Sequence, residues 1–173
     1  MLQVPAMRIF FFLLLTISLT EAAAKPSALT VHFDDAEHYT DVSLSGASTD
    51  NIRQSVLDGL QDYLVTLADD KLPKQQTLSI DILDIDMAGA FEPWRTPQLT
   101  NTRIIRDIYP PRIKLHYVWR NSQGMRLAEA DETLSDLNYL QFADPGYIRN
   151  DPLRYEKTLL RRWFETRFAT PPR

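Results

Sequence analysis

The sequence of 173 residues contains no cysteine, so it can form neither a disulfide nor the cysteine-linked anchor of a lipoprotein. Glycine is scarce, with five residues, and the sequence has no phosphate-binding loop and no dinucleotide-binding glycine pattern. Only three histidines are present, and no serine lies in a G-x-S-x-G elbow. These absences exclude the common nucleotide-binding and nucleophile-elbow classes, and we expect no cofactor. Stability has to come from a packed core.

Long apolar runs are also missing. The run Ile9–Leu19 has about 11 residues, whereas a membrane-spanning helix needs roughly 20. Arg8 precedes this run, and Glu21–Ala24 follows it with the small side chains that a signal peptidase accepts. We therefore expect residues 1–24 to be a cleaved signal peptide. Residues 25–173 are then a soluble single domain in the periplasm, with no integral membrane segment left.

The formal net charge of −4 argues against nucleic acid as a partner, because phosphate binding requires a clearly basic face.

Hydrophobic periodicity predicts two helices and four strands. The first helix has Thr49 or Asp50 as its N-cap, and Pro73 ends it. The last helix begins with Asp151 as N-cap and Pro152 at the first helical position. The order β-α-β-β-β-α predicts an α+β two-layer sandwich, with one four-stranded sheet covered on one face by two helices. The predicted strands cover 29–33, 77–87, 112–120 and 125–134, and the predicted helices cover 51–72 and 152–168.

The second predicted strand changes phase in its middle. The apolar positions up to Ile82 alternate in one phase, and those from Leu83 onward alternate in the other. A one-residue bulge near Ile82 would turn both sets inward, and the alternative is a strand that is covered on both faces. Between the last two strands, the segment 121–124 predicts a hairpin turn.

Two acidic clusters are candidate chemical sites. The first contains His32, Asp34, Asp35, His38 and Asp41, and its spacing matches no metal-binding motif. We interpret it as a polar loop, and we expect that a chelator leaves the melting temperature unchanged.

The second cluster consists of Asp81, Asp84 and Asp86 on the second strand. We interpret these three residues as acidic side chains on the solvent-exposed face of the strand. The alternative is a carboxylate-dependent hydrolase that uses Asp84, Asp86 and Glu92, since glycosidases require two carboxyl groups in a cleft.

The most unusual composition lies between residues 88 and 112, where prolines interrupt any regular element. Such a long loop is uncommon in a small domain unless it binds something or covers part of the core. Its arginine and aromatic side chains favour recognition, although they could also cover a sheet edge. The candidate binding residues are Phe91, Glu92, Trp94, Arg95, Arg103, Arg106, Asp107, Tyr109, Arg112 and Glu156.

Glu156 is included because the helical wheel places it on the buried face of the last helix, where a charge is costly unless it is paired. The helix offers no cation at i+3 or i+4, so we predict a pair with at least one loop arginine, namely Arg95, Arg103, Arg106 or Arg112. Removal of Glu156 should then cost about 3–5 kcal/mol.

Four motifs occur in order along the sequence: Val31-His-Phe33 with Tyr39-Thr-Asp41, Phe91-Glu-Pro-Trp-Arg95, Arg106-Asp-Ile-Tyr-Pro-Pro-Arg112 and Asp151-Pro-Leu-Arg-Tyr-Glu156. Together they resemble an uncharacterised family of exported proteobacterial proteins, a domain of unknown function. The resemblance covers nearly all of residues 25–173, implies a Gram-negative periplasm, and supplies no activity. We therefore expect a non-enzymatic accessory or binding protein of the cell envelope, whose partner is an envelope protein or a lipid-related ligand.

Overall fold

In a computed structural model of the chain, residues 28–46, 49–95, 97–141 and 150–168 are described. The predicted signal peptide lies outside these residues, so its cleavage stays a prediction. Within the described ranges, no helix is both long enough and apolar enough to span a membrane.

The described elements follow the predicted order, with one small hairpin added. The strands are β1 (Leu29–Phe33), β2 (Thr77–Asp86), β3 (Ala90–Phe91), β4 (Arg103–Ile104), β5 (Arg112–Arg120) and β6 (Arg126–Ser135), and the helices are α1 (Asp50–Lys71) and α2 (Arg154–Phe168).

Four of the strands form one mixed sheet in the order β1-β2-β5-β6. Strand β1 runs parallel to β2, whereas β2, β5 and β6 pair antiparallel to one another. The buried side chains of α1 and α2 form one continuous core with the inward side chains of this sheet. The predicted α+β fold is confirmed. The pair β3 and β4 was not predicted, because two residues per strand are too few to produce a periodic pattern.

The phase change in β2 is a β-bulge, as predicted. The register of β2 against β5 shifts between Ile82 and Asp84. Leu83 is therefore the extra residue and is exposed, while Ile82 and Ile85 on either side of it are buried. The bulge turns Ile85 and Met87 toward the helices together with the first apolar set, whereas Leu83, which was expected to point inward, is left outside the core.

The predicted hairpin turn joins β5 to β6. The Gly124 amide donates to the carbonyl oxygen of Asn121 at 3.0 Å. The Asn121 side chain accepts from the amides of Gln123 and Met125 at 2.9 and 3.0 Å. Gly124 has a φ of +77°, which glycine adopts without strain.

Helix α2 begins two residues later than predicted. The Asp151 side chain accepts from the Leu153 amide at 2.8 Å, and its carbonyl oxygen accepts from the Arg154 amide at 3.1 Å. These bonds close a single turn around Pro152, and regular helix follows from Arg154. Leu153 then packs against α1 at Gly59, where a Cβ atom would lie 2.9 Å from the leucine side chain.

The end of α2 closes the core through Phe168. This ring is fully buried and packs edge-to-face against rings of α2 and β5. The four ring-centroid distances are 4.9–5.3 Å, to Tyr117, Trp119, Trp163 and Phe164.

Candidate functional site

Arg103, the first residue of β4, lies inside the 91–112 loop, with only 10% of its side chain exposed. Its Nη2 atom donates to both carboxylate oxygens of Asp41 at 2.7 Å. Its Nη1 atom donates to the carbonyl oxygens of Ala88 and Gly89 at 3.2 and 2.8 Å. The guanidinium also lies 4.8 Å from the centre of the Phe91 ring. Its Nε atom donates to the carbonyl oxygen of Ser43 at 3.0 Å, so Arg103 uses all three nitrogens of its guanidinium to join the loop to the residues just after β2 and to the segment after β1.

Gly89 allows the two ends of the loop to meet. Its φ of +82° lies in a region that residues with side chains rarely adopt. A Cβ atom at this position would lie 2.7 Å from the carbonyl oxygen of Ile104. The Gly89 amide donates to the carbonyl oxygen of Tyr109 at 2.9 Å. The loop is therefore closed at its base by backbone contacts.

Glu156 is buried, as predicted, but its predicted pair with an arginine is wrong. One carboxylate oxygen accepts from the Ala88 amide at 2.8 Å. The other is buried without a hydrogen-bond partner among the described residues, and no arginine there reaches ion-pair distance. Burial raises the pKa of Glu156, while the Ala88 amide and the more distant charges of Arg103 and Arg154 oppose that shift. A backbone amide substitutes for the expected cation.

The surface arginines of the loop converge on Glu92, which is only 5% exposed. The Nε atoms of Arg95 and Arg106 lie 3.6 and 3.5 Å from its two carboxylate oxygens. The Tyr109 hydroxyl donates to the same carboxylate at 3.0 Å, and this hydrogen bond raises the pKa of Tyr109. Glu92 therefore holds two turns of the loop together.

Around Glu92 the loop forms a cleft of about 200 Å³. Besides Glu92, two cationic residues, Arg95 and Arg106, and two apolar residues, Leu99 and Ile104, line the cleft. The side chains of Arg95 and Arg106 are 55% and 34% exposed. Within the described residues, neither guanidinium makes a hydrogen bond. The cleft thus combines two guanidinium groups, which are ion-paired with Glu92 and keep further donors available, with the apolar side chains of Leu99 and Ile104.

Three turns next to this cleft each present one large apolar side chain to solvent. Trp94, Ile108 and Leu99 are 72%, 64% and 42% exposed, respectively. Each is the third residue of a turn closed by a backbone hydrogen bond, over residues 92–95, 106–109 and 97–100. Large apolar side chains normally leave water on folding, so this grouping distinguishes the loop from the remaining surface.

A fourth turn, which the sequence analysis missed, extends the same surface. The Tyr139 hydroxyl donates to the carbonyl oxygen of Arg106, and burial raises the pKa of Tyr139 to about 12. Leu137 and Leu140 on either side of Tyr139 are 73% and 45% exposed. Nothing in the local sequence distinguishes these leucines from core residues, because the contact that positions them is 33 residues away.

The remaining predicted binding residues do not line the cleft. Phe91 is partly buried under Arg103, and Asp107 is exposed. Arg112 belongs to β5, where it lies opposite Asp86 in the sheet.

Of the three carboxylates proposed for hydrolysis, Glu92 lines the cleft, whereas Asp84 and Asp86 do not. Asp84 accepts from the amide and hydroxyl of Thr40 at 2.8 and 3.0 Å and lies 3.6 Å from Lys114. Burial raises the pKa of Asp86, and the neighbouring Asp41 raises it further. Asp81 lies opposite His116 in the sheet.

Members of the cluster between residues 32 and 41 are engaged by side chains inside and outside it. The His38 ring lies 2.8 Å from Asp35, and Asp41 is bound by Arg103. Over the described ranges, no group of three or more acidic or histidine side chains is arranged to hold a metal ion.

The fold and this loop define a small α+β domain with one long loop that carries a cationic cleft and exposed apolar side chains. The chain belongs to the family described as Protein of unknown function (DUF3016), whose model matches residues 27–166. This match confirms the resemblance to a domain of unknown function. No curated protein and no solved structure matches the chain.

Proposed function

We propose that the chain is a non-enzymatic accessory or binding protein of the cell envelope, exported to the periplasm. Its contact surface is the segment 91–112, and its partner is an envelope protein or a lipid-related ligand. The observation that carries this proposal is Trp94, which is 72% exposed on a loop that is otherwise anchored in the fold.

The anchoring supports binding because a preformed surface loses little conformational entropy when it meets its partner. Arg103 holds the loop from inside through Asp41, and Glu92 holds the turns that carry Trp94 and Ile108. Tryptophan and arginine are also the side chains that most often dominate binding energy. The loop therefore presents anchor residues in a fixed arrangement.

The composition of the cleft supports binding over hydrolysis. Hydrolysis with two carboxylates requires a pair that faces a shared substrate. Among the residues that the structure describes, Glu92 is the one carboxylate that lines this cleft, and Arg95 and Arg106 flank it. Asp84 is already engaged by Thr40.

Site-specific photo-crosslinking in intact cells tests the proposal. A photoreactive amino acid replaces Trp94, and a control carries it at Met125, which is 58% exposed on the β5–β6 turn. We expect a protein or lipid adduct from position 94 that is absent from position 125. If both positions give the same background, the contact surface is not at the loop.

A further inference from the structure

The exposed apolar side chains of the loop are distributed one to a turn. Trp94, Leu99 and Ile108 occupy three turns around the cleft, and Tyr139 attaches a fourth turn beside them. A protein interface of standard size has a contiguous, tightly packed core. Separate apolar side chains on closed turns instead suit a fluid apolar phase, because each side chain can enter such a phase without matching a specific pocket.

The backbone of these turns also suits an apolar environment, where each unpaired polar group is costly. The Arg95 amide donates to the Glu92 carbonyl oxygen at 3.1 Å, and the Tyr109 amide donates to the Arg106 carbonyl oxygen at 3.0 Å. Each of these turns therefore satisfies one amide and one carbonyl group itself. Tryptophan, the most exposed of the three apolar side chains, prefers the boundary between water and hydrocarbon.

The charged side chains that line the cleft carry a net positive charge. They are Arg95, Arg106 and Glu92, and their formal charges sum to +1, in a chain whose formal net charge is −4. Arg103 does not contribute to this charge, because Asp41 neutralises it inside the fold. The guanidinium donors of Arg95 and Arg106 that do not face Glu92 match the phosphate oxygens of a lipid headgroup.

We propose that this surface docks on a bilayer of anionic phospholipid. Trp94, Leu99 and Ile108 enter the interfacial region, and Arg95 and Arg106 bind lipid phosphates. This inference rests on the proposed contact surface and specifies its partner. The protein lies on the membrane with its fold intact, and the cleft receives the headgroup while the acyl chains stay in the bilayer.

Tryptophan fluorescence provides a direct probe. Of the three tryptophans in the chain, Trp119 and Trp163 are buried at 2% and 6% exposure, so a change in polarity reports on Trp94. The protein beginning at residue 25 is titrated with vesicles of phosphatidylglycerol and phosphatidylethanolamine, and separately with phosphatidylcholine vesicles. We expect a blue shift with the anionic vesicles alone, and no shift in a Trp94→Phe variant.

Matched variants test the two kinds of contact. Arg95→Gln should lower the partition coefficient about fivefold, and Ile108→Ser should lower it about tenfold. The controls are Arg120→Gln and Met125→Ser, which change exposed residues at the opposite end of β5 and should bind like the parent.

Two outcomes overturn the lipid proposal: no blue shift with either vesicle, or equal binding by the Arg95→Gln and Arg120→Gln variants. If neither vesicle binds the protein while the photoreactive group at position 94 captures a protein, the proposed contact surface is supported and its partner is a protein. If that crosslink also fails, the proposed function fails with it.

Discussion

Arg103 and Glu156 bind the same residue, Ala88, from two sides of its backbone. Arg103 donates to the Ala88 carbonyl oxygen at 3.2 Å, and Glu156 accepts from the Ala88 amide at 2.8 Å. Ala88 lies between the end of β2 and the start of β3, so these contacts set the direction in which the loop leaves the sheet. The positive charge of Arg103 acts to lower the pKa of Glu156, although the two side chains form no ion pair.

Loss of Arg103 should destabilise the fold strongly. An Arg103→Gln substitution leaves the Asp41 carboxylate without its cation and several carbonyl oxygens without donors. We expect a loss of about 3–5 kcal/mol in the free energy of unfolding, measured by urea titration. The matched control is Arg95→Gln, whose half-exposed side chain should cost at most about 1 kcal/mol. Equal losses in the two variants would show that Arg103 does not anchor the loop.

Gly89 should tolerate alanine much less well than Gly124 does. Both have positive φ, of +82° and +77°, so both alanine variants incur about 1–2 kcal/mol of backbone strain. Only at Gly89 would the new Cβ atom clash, at 2.7 Å from the Ile104 carbonyl oxygen, whereas at Gly124 nothing lies within 4 Å. We expect Gly89→Ala to cost about 1–3 kcal/mol more than Gly124→Ala in urea unfolding. Identical costs would mean that β4 does not approach Gly89 so closely.

Glu156 should make stability decrease as pH rises. Its pKa in the folded state is raised above the ordinary value of 4.5, so the folded state binds this proton more tightly than the unfolded state does. This stabilisation is fully present below pH 4.5 and is lost as pH rises through the folded-state pKa.

A Glu156→Gln variant removes this proton and retains an oxygen for the Ala88 amide. We expect its unfolding free energy, relative to that of the parent, to rise as the pH increases above 4.5, measured by urea titrations at a series of pH values. Asp86 also has a raised pKa, but its contribution is common to both proteins and cancels in the difference. Parallel pH profiles of parent and variant would be incompatible with a raised pKa of Glu156.

Processing can be examined by intact mass. Ala22 and Ala24 provide the small side chains of a cleavage site, so the protein in a periplasmic extract should begin at Lys25. A mass that still includes the apolar run Ile9–Leu19 would rule out cleavage, and absence from the extract would rule out export.

Local patterns were sufficient to predict most of the fold. The β2 bulge followed from two apolar sets of opposite phase, and the β5–β6 turn followed from a short polar segment between alternating strands. The burial of Glu156 followed from its position on the helical wheel.

The sequence did not predict the contacts between segments that are distant along the chain. Arg103 and Arg95 look equivalent in the sequence, yet Arg103 is buried because the fold brings it to Asp41. The sequence gives no sign of this contact, because the two residues are 62 positions apart. The partner of Glu156 is a backbone amide, which every residue except proline carries and which therefore leaves no signature. Leu137 and Leu140 are of a residue type that is usually buried, yet both are exposed.

The central claim is that residues 91–112 meet a partner in the cell. Because the chain has no cysteine, a single Gln98→Cys substitution places one thiol on an exposed turn of this surface without removing an anchor. Gln123→Cys, on the exposed turn between β5 and β6, is the matched control. Maleimide labelling rates are compared between the purified proteins and intact cells permeable to the reagent. We predict that the Gln98→Cys variant is protected in cells relative to the Gln123→Cys variant, although both label readily when purified. Equal relative rates in the two settings would contradict the account.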